Sequence, residues 1–391
     1  MYRKLEEKIR EEFPIIKEKN YMNNGSIGPV SSTAIKSINN FLIKYSEEGP
    51  DSDTILRYIK KVMRNTRMKI SKLINCDPDE VIFTQSTTHG LNCIANWIKW
   101  YHNDKIILRG GKQEHYANYF PWISIAKRKK LEIKNLETDK NGYFDLKELE
   151  KFAKEEKTRL ITLSHALYNN GSIMPVNEVG DIAKRYNIMY CIDAAQTVGS
   201  IKIDVKKIRC DFMAFPAFKW ICGPLGIGIL YCSKKSVKML APNDIGNESA
   251  RISSNGIIQF IKAPGRFETG FRNYLGVVGL ESAAENILKI GIEKISKKNQ
   301  NISSLLRTKL GEIPHIKIYG VQKSSLRTPI IPFSSKKITS KDLVKKLQKN
   351  NIIMAERNSG ENEKKIVRAS PHFFNDEDNV IEIINYLKKL Y

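Results

Sequence analysis

Among the many lysines of this chain, Lys219 keeps unusual company. It sits in DFMAFPAFKWICGPLGIGILY (211–231), surrounded by aromatic, aliphatic, Pro and Gly residues. Apolar surroundings disfavour an ammonium, so the pKa falls and the side chain becomes an amine nucleophile, able to form a Schiff base with a carbonyl. The same residue could instead snorkel its charge outward from a strand end. Asp193, 26 positions earlier, closes an apolar run and precedes Ala194-Ala195-Gln196. A carboxylate there is costly to bury unpaired; a protonated heterocycle would pair with it, and capping the next turn is the plainer use. In QSTTHG (85–90), Ser86, Thr87 and Thr88 offer hydroxyls and free N–H groups at a helix start. Those groups suit either a phosphate or ordinary N-capping. His115, after Glu114, could lie flat on an aromatic ligand or pack as an ordinary histidine. Tyr168, Asn169 and Asn170 are polar groups beyond another apolar run, although Asn-Asn-Gly is also a turn sequence.

These residues need elements to position them. EVIFT, KIILRG, LEIKNLE, RLITLSHA and MYCIDAA read as strands, four of them followed by helical patterns, and DFMAFPA and GIGILYCS flank the lysine turn as two more. Such alternation predicts a mostly parallel sheet with helices on both faces. Ligands of open α/β sheets bind at the carboxyl ends of the strands, where these residues fall. Phosphate cradle, ring-stacking histidine, aspartate for a ring nitrogen, then lysine, in that order, describe a pyridoxal-phosphate site. The Gly-rich run GPLGIG leads into a strand, so it is no dinucleotide fingerprint. From about Tyr274 the texture changes. LGVVGLESAAENILKIGIEKISKKN reads as one long helix, followed by an α+β segment ending in the amphipathic DEDNVIEIINYLKKLY.

Composition narrows the function classes. The six cysteines form no CxxC pair and no His cluster joins them, which weighs against disulfides and against a metal site. No cysteine occurs from Ser233 to Tyr391. Lys and Arg number 65 against 42 Asp and Glu, but they are scattered, with AKRKKLEIK the densest patch. A solvated basic surface explains this better than a nucleic-acid face. No apolar run approaches the roughly 18 residues of a membrane span. MYRKLEEKIREEF reads as a charged amphipathic helix rather than a signal peptide, so a cytoplasmic protein is expected.

The chain resembles the class V aminotransferase group of fold-type I pyridoxal-phosphate enzymes, which includes cysteine desulfurases, isopenicillin-N epimerase-like proteins and kynureninase. The motifs that carry the resemblance are YMNNGSIGPVS, FTQSTTHGLN, QEHYAN, SHALYNNG, IDAAQTVG, FKWICGPLGIGILY, GRFETGFRN and IVRASPHFFN, spread over nearly the whole chain. It implies an N-terminal helix (1–20) packing with the small domain, a large cofactor domain (21–275), and a connecting helix with a small C-terminal domain (276–391). It implies pyridoxal 5'-phosphate on Lys219, Asp193 on the pyridine nitrogen, Gln196 near the phenolic oxygen and His115 stacked on the ring. Ser86, Thr87 and Thr88 would hold the phosphate, with Gly270 and Phe271 approaching from the other subunit of a homodimer. Asn24 and Tyr168 would face an amino-acid substrate; Arg368 would clamp its carboxylate, with Arg357 a second candidate.

This sequence also departs from the group. Desulfurases carry a nucleophilic cysteine shortly before the carboxylate arginine, and AERNSGENEKKIVR has none. Phe218 stands where they often have His, Pro216 where a hydroxyl residue is common, Tyr168 in place of Asn and His89 in place of Glu. Cys222 suits a packed apolar role. The expectation is therefore an aminotransferase. A cysteine desulfurase or C–S lyase, and an amino-acid epimerase, are the enzyme alternatives; a basic binding protein on the same fold is the non-enzyme one.

Overall fold

The computed structural model describes residues 9–110, 114–360 and 364–390. Residues 1–8 of the expected N-terminal helix, Gln113 of QEHYAN and three positions of the expected SGENEKK loop lie outside them. In the described part of the N-terminal segment, Arg10 pairs with Asp376, and the Phe13 ring rests on Phe373 and Phe374.

The central sheet has seven strands: β1 (Val81–Thr84), β2 (Lys105–Arg109), β3 (Glu132–Leu136), β4 (Thr158–Ser164), β5 (Met189–Asp193), β6 (Phe212–Pro216) and β7 (Gly228–Cys232), in the order β1-β7-β6-β5-β4-β2-β3. Only β7 runs antiparallel to its neighbours. It can do so because the lysine turn returns the chain directly, whereas each parallel step needs a crossover. Side chains alternate between two apolar layers. Phe83, Ile107, Ile192, Met213 and Ile229 face one, and Ile82, Ile106, Cys191, Ala214 and Leu230 face the other. Burial on both faces explains why these strands read as continuous apolar runs.

One layer is covered by α1 (Ser32–Glu48), α2 (Asp53–Ile74), α5 (Leu146–Ala153), α6 (Val176–Arg185) and α7 (Tyr274–Ile290), the other by α3 (Thr87–Trp97) and α4 (Phe120–Lys129). α4 begins two residues later than the expected helix start at Asn118, after a short 3₁₀ turn over Tyr116–Asn118. The expected single long helix is two. α7 ends at Gly291, whose φ of +91° breaks the α-helical path, and α8 (Ile292–Gly311) starts beyond it.

A second, four-stranded antiparallel sheet follows: β8 (Ile316–Ile318), β9 (Ile331–Ser335), β10 (Ala355–Asn358) and β11 (Lys365–Ala369), in the order β8-β9-β11-β10. With α8, α9 (Ser340–Lys349) and α10 (Glu377–Lys389) it encloses a separate apolar core around Phe333, Val367 and Ile383. Among the described residues, no helix is long and apolar enough to cross a membrane, and no cluster of His, Cys, Asp and Glu could hold a metal.

Candidate active site

Sheet register gathers the chemistry at one edge. Parallel pairing sets Ser164 beside Asp193 and Asp193 beside Ala214, while β1 and β7 place Thr84 beside Gly228. The strand ends enclose a cavity of about 90 Å³ lined by Thr87, His115, Tyr168, Asp193, Gln196 and Lys219, with Ser86 and Thr88 also on its wall. Eight residues singled out from sequence therefore meet at one place.

Burial sets the electrostatics. It pushes the Lys219 amine down to about 8, opposed by Asp193 and assisted by Arg368 and Arg357. It lifts Asp193 to about 6, opposed by Lys219 and by the Ala195 N–H, which donates to Oδ1 at 2.8 Å. Each group thus keeps the other partly charged until a further partner arrives. The His115 imidazole is pushed down to about 4 by burial and then by Lys219, so it is neutral at pH 7. Its Nδ1 accepts from the Ala117 N–H at 3.1 Å, and its ring meets Tyr168 edge-on at 4.9 Å.

The nucleophile is the neutral amine, so capture of a carbonyl by Lys219 should quicken as pH rises through about 8 and level off above it. Stopped-flow absorbance of cofactor-free protein mixed with pyridoxal phosphate measures this. A rate that stays flat across the range would place the reacting amine elsewhere.

Supporting contacts come from parts of the chain that the sequence did not connect. Glu114 is buried and pairs with Arg109 at 3.0 Å; it accepts from the Ser164 N–H and hydroxyl and from the His115 N–H at 3.1 Å. This network fixes the loop that carries His115. Gly28 donates its N–H to the Phe218 carbonyl at 2.6 Å, and an added Cβ there would lie 2.2 Å from the Lys219 carbonyl oxygen. Only glycine lets the N-terminal loop press so closely on the lysine turn. His372 holds the Trp220 carbonyl at 2.8 Å from the other side. The Glu-His pair in the sequence hinted at Glu114; Gly28 and His372 lie in motifs that carry the resemblance, without a role of their own there, and nothing local marked Arg109.

Some expected roles change. Ser86 caps α3, its Oγ accepting from the His89 N–H at 3.1 Å. Gln196 is engaged at both ends of its amide: Nε2 donates to the Gly25 carbonyl and Oε1 accepts from the Trp220 indole, both at 2.9 Å. It ties the N-terminal loop to the lysine turn, leaving one N–H for a ligand. Asn24 is fully buried behind that turn, within 3.6 Å of Cys222 Sγ, rather than on the cavity wall. Gly270 and Phe271, expected to approach the site of the other subunit, are not on the wall of this chain's own cavity, and Phe271 is 86% exposed.

The residues present suit a pyridoxal phosphate. Thr87 Oγ1, on the cavity wall, is buried without a hydrogen-bond partner. The Thr87 and Thr88 N–H groups open α3 and have no intrahelical acceptor. Gly228 lets β7 come close to this cradle, since a Cβ there would sit 2.8 Å from the Ser86 backbone. Asp193 supplies a buried anion for a ring cation and Lys219 the amine for an aldehyde.

Such a site, a lysine amine and a buried carboxylate at the carboxyl edge of a mostly parallel sheet, defines an α/β enzyme of the carbonyl-capturing class. The chain belongs to the aminotransferase class V family, which it matches over residues 21–383. The family is pyridoxal-phosphate-dependent, and the fold is that of fold-type I. The chain is 34% identical over 350 residues to a cysteine desulfurase of Wigglesworthia glossinidia brevipalpis, covering 86% of this chain and 83% of that one. A cysteine desulfurase from Thermococcus onnurineus NA1 superposes with a TM-score of 0.91 at 25% identity, covering 98% of this chain and 97% of that one. A C-DES variant with glycine covalently linked to its PLP cofactor shares the fold, with a TM-score of 0.88 at 23% identity over 97% of this chain and 98% of that one.

Proposed function

We propose that the chain is a pyridoxal-phosphate enzyme that cleaves the C–S bond of a cysteine-type amino acid and releases the sulfur without storing it on a C-terminal cysteine. The likeness to cysteine desulfurases carries this reading, above all the relative at 34% identity. It displaces the aminotransferase expected from the sequence. The missing cysteine then shapes the reaction. No thiol follows Cys232, and Cys222, beside the lysine turn, is a poor substitute. It is buried, its thiol is pushed up to about 12, and Asn24 donates to it. A nucleophile needs thiolate character and access, and Cys222 has neither.

When bound, the cofactor supplies an aldehyde for amine capture and an electron sink that acidifies the substrate's α-proton. Lys219 would hold the cofactor, Asp193 would keep its ring nitrogen protonated, His115 would cover a face, and Thr87 with Thr88 would bind the phosphate. The Lys219 amine, uncharged above about pH 8, is the base for the α-proton. The Cβ–S bond then breaks, and sulfur departs with the bonding pair as a thiolate. For cysteine and water the balance is pyruvate, ammonia and hydrogen sulfide, with no net oxidation. The same reading includes a cytosolic homodimer in which Gly270 and the exposed Phe271 meet the partner's site.

Purified protein loaded with pyridoxal phosphate and given L-cysteine should release sulfide together with pyruvate. Alanine with persulfide on the enzyme would overturn release without storage. Keto acid formed only when a second keto acid is supplied would restore the aminotransferase.

A further inference from the structure

A second, polar cavity of about 220 Å³ lies between α8 and the loop at 324–329. Four residues of α8 line it. Ser296, Asn299, Gln300 and Ser303 recur at three- and four-residue spacing and so share one side of the helix. Ser324 and Arg327 line it from the loop. A helix face packed against its neighbours is ordinarily apolar, yet Asn299 and Ser303 are buried here. Gln300 is exposed, which puts one wall at the surface. The donors around this cavity are not used up. Arg327 carries five N–H groups. Its Nη1 donates to the Val321 and Gln322 carbonyls and its Nη2 to the Ser304 hydroxyl at 3.0 Å; Nε and the second Nη2 N–H have no partner among the described residues. Asn299 Nδ2 gives one N–H to the Ser200 carbonyl at 3.2 Å and keeps the other. The Ser303 hydroxyl turns back on its own helix, donating to the Gln300 carbonyl at 3.2 Å, and is a rotor that can swing to a ligand instead.

The charge here has one sign. Arg307 lies one turn beyond Ser303 on the same side of α8. It is buried, its Nε has no partner, and its Nη2 donates to the Tyr319 and Gly320 carbonyls at 2.9 and 3.3 Å. Burial lowers the pKa of both arginines, and the charge of Arg327 helps to bring Arg307 down to about 10. Every acceptor that the two arginines use is a neutral carbonyl or hydroxyl oxygen, and among the described residues no carboxylate pairs with either. An anion in the cavity would relieve that repulsion. A carboxylate is planar and would meet the fork of Arg327 alone, whereas donors on two facing walls, hydroxyls among them, match the several oxygens of a tetrahedral anion. We propose that this cavity is a binding site, distinct from the pyridoxal-phosphate site, for an oxyanion of the phosphate class, anchored by Arg327 and held by Asn299, Ser303 and Ser324. The site is independent of which reaction the active site performs.

Isothermal titration of the holoenzyme with inorganic phosphate, at constant ionic strength set by chloride, tests the site. In the holoenzyme the cofactor's own phosphate fills the Thr87 and Thr88 cradle, so that cradle does not compete. Binding should be saturable, at about one phosphate per chain, and about tenfold or more weaker in Arg327→Gln. Arg327→Lys keeps the cation without the fork and should retain part of the affinity. Because Arg327 also braces its own loop, Gln300→Glu is the companion variant. It leaves the bonds of Arg327 in place, sets a carboxylate on the exposed wall, and should weaken phosphate by a similar factor, with circular dichroism unchanged. Arg368→Lys, in the active site, should bind phosphate as the parent does. Tighter binding of glycerol 1-phosphate than of inorganic phosphate would identify the ligand as a phosphate carried on a small molecule, and weaker binding as the free ion. Three results would overturn the proposal. One is no saturable binding, or many weakly held ions per chain, which is the general field of a chain with a formal charge of +23. Another is unchanged affinity in both Arg327→Gln and Gln300→Glu. The third is loss in Arg368→Lys with retention in Arg327→Gln, which would put the phosphate in the active site.

Discussion

Lys219→Ala is expected to abolish covalent retention of pyridoxal phosphate and to lower turnover by at least about a thousandfold. The size follows from two roles in one side chain: the amine that fixes the cofactor and the base that takes the α-proton. Neither passes readily to a neighbour. His115 is neutral but already accepts the Ala117 N–H through Nδ1, and among the described residues no other lysine is on the cavity wall. Borohydride reduction followed by peptide mass spectrometry reads the first role, and sulfide or pyruvate release reads the second. In the parent the reduced adduct should map to the peptide containing Lys219; in the variant it should be missing while the fold is retained by circular dichroism. An adduct on another lysine of the variant would show that the apolar turn around residue 219 is not the anchor. Lys219→Arg is a useful companion, since it keeps the positive charge beside Asp193 but cannot form the bond.

Much of this site could be read from the chain because parallel sheets impose an order. Strands buried on both faces appear as apolar runs, ligands lie beyond their carboxyl ends, and so Ser86, His115, Asp193 and Lys219 could be placed together without coordinates. Helix α2 was missed although its signal is present. Ile55, Ile59, Val62, Thr66 and Ile70 recur at three- and four-residue spacing on its buried side, and Ser52 caps it. The break at Gly291 was hidden because the apolar period continues on both sides of it. Side-chain partnerships were less legible, for a physical reason. Gln196 and Asn24 have amides that can serve ligand or protein equally well, and each takes a partner from a distant segment, Gly25 for Gln196 and Cys222 for Asn24. Ser26 looks like any loop serine until the small sheet folds over and brings two arginines to its oxygen. Local sequence encodes a residue's chemistry and its place on an element; which distant group satisfies it depends on tertiary packing.

Arg368→Ala should reduce kcat/KM by roughly 30-fold to several-thousandfold, because removing one member of a buried, hydrogen-bonded charge pair costs about 2–5 kcal/mol. The loss should appear mainly as weaker amino-acid binding, with cofactor affinity little changed. Geometry supports that split. The cofactor cradle is built from α3, β5 and the lysine turn, whereas Arg368 comes from β11 and reaches the site past Tyr168 and Ser26. Its burial makes it an effective clamp. A guanidinium with 1% exposure and an unpartnered Nε has lost its water already, so a carboxylate that reaches it gains more than at a surface arginine. Arg368 also braces the Tyr168 carbonyl and the N-terminal loop, so the alanine variant could weaken binding by loosening that loop. Arg368→Lys separates the two effects. It retains a cation and fills most of the space but cannot reproduce the planar fork, so substrate affinity should recover only in part. Equal loss of cofactor and amino-acid affinity in Arg368→Ala, measured by titrating each against the visible spectrum, would make Arg368 a brace for the whole site instead of the carboxylate clamp.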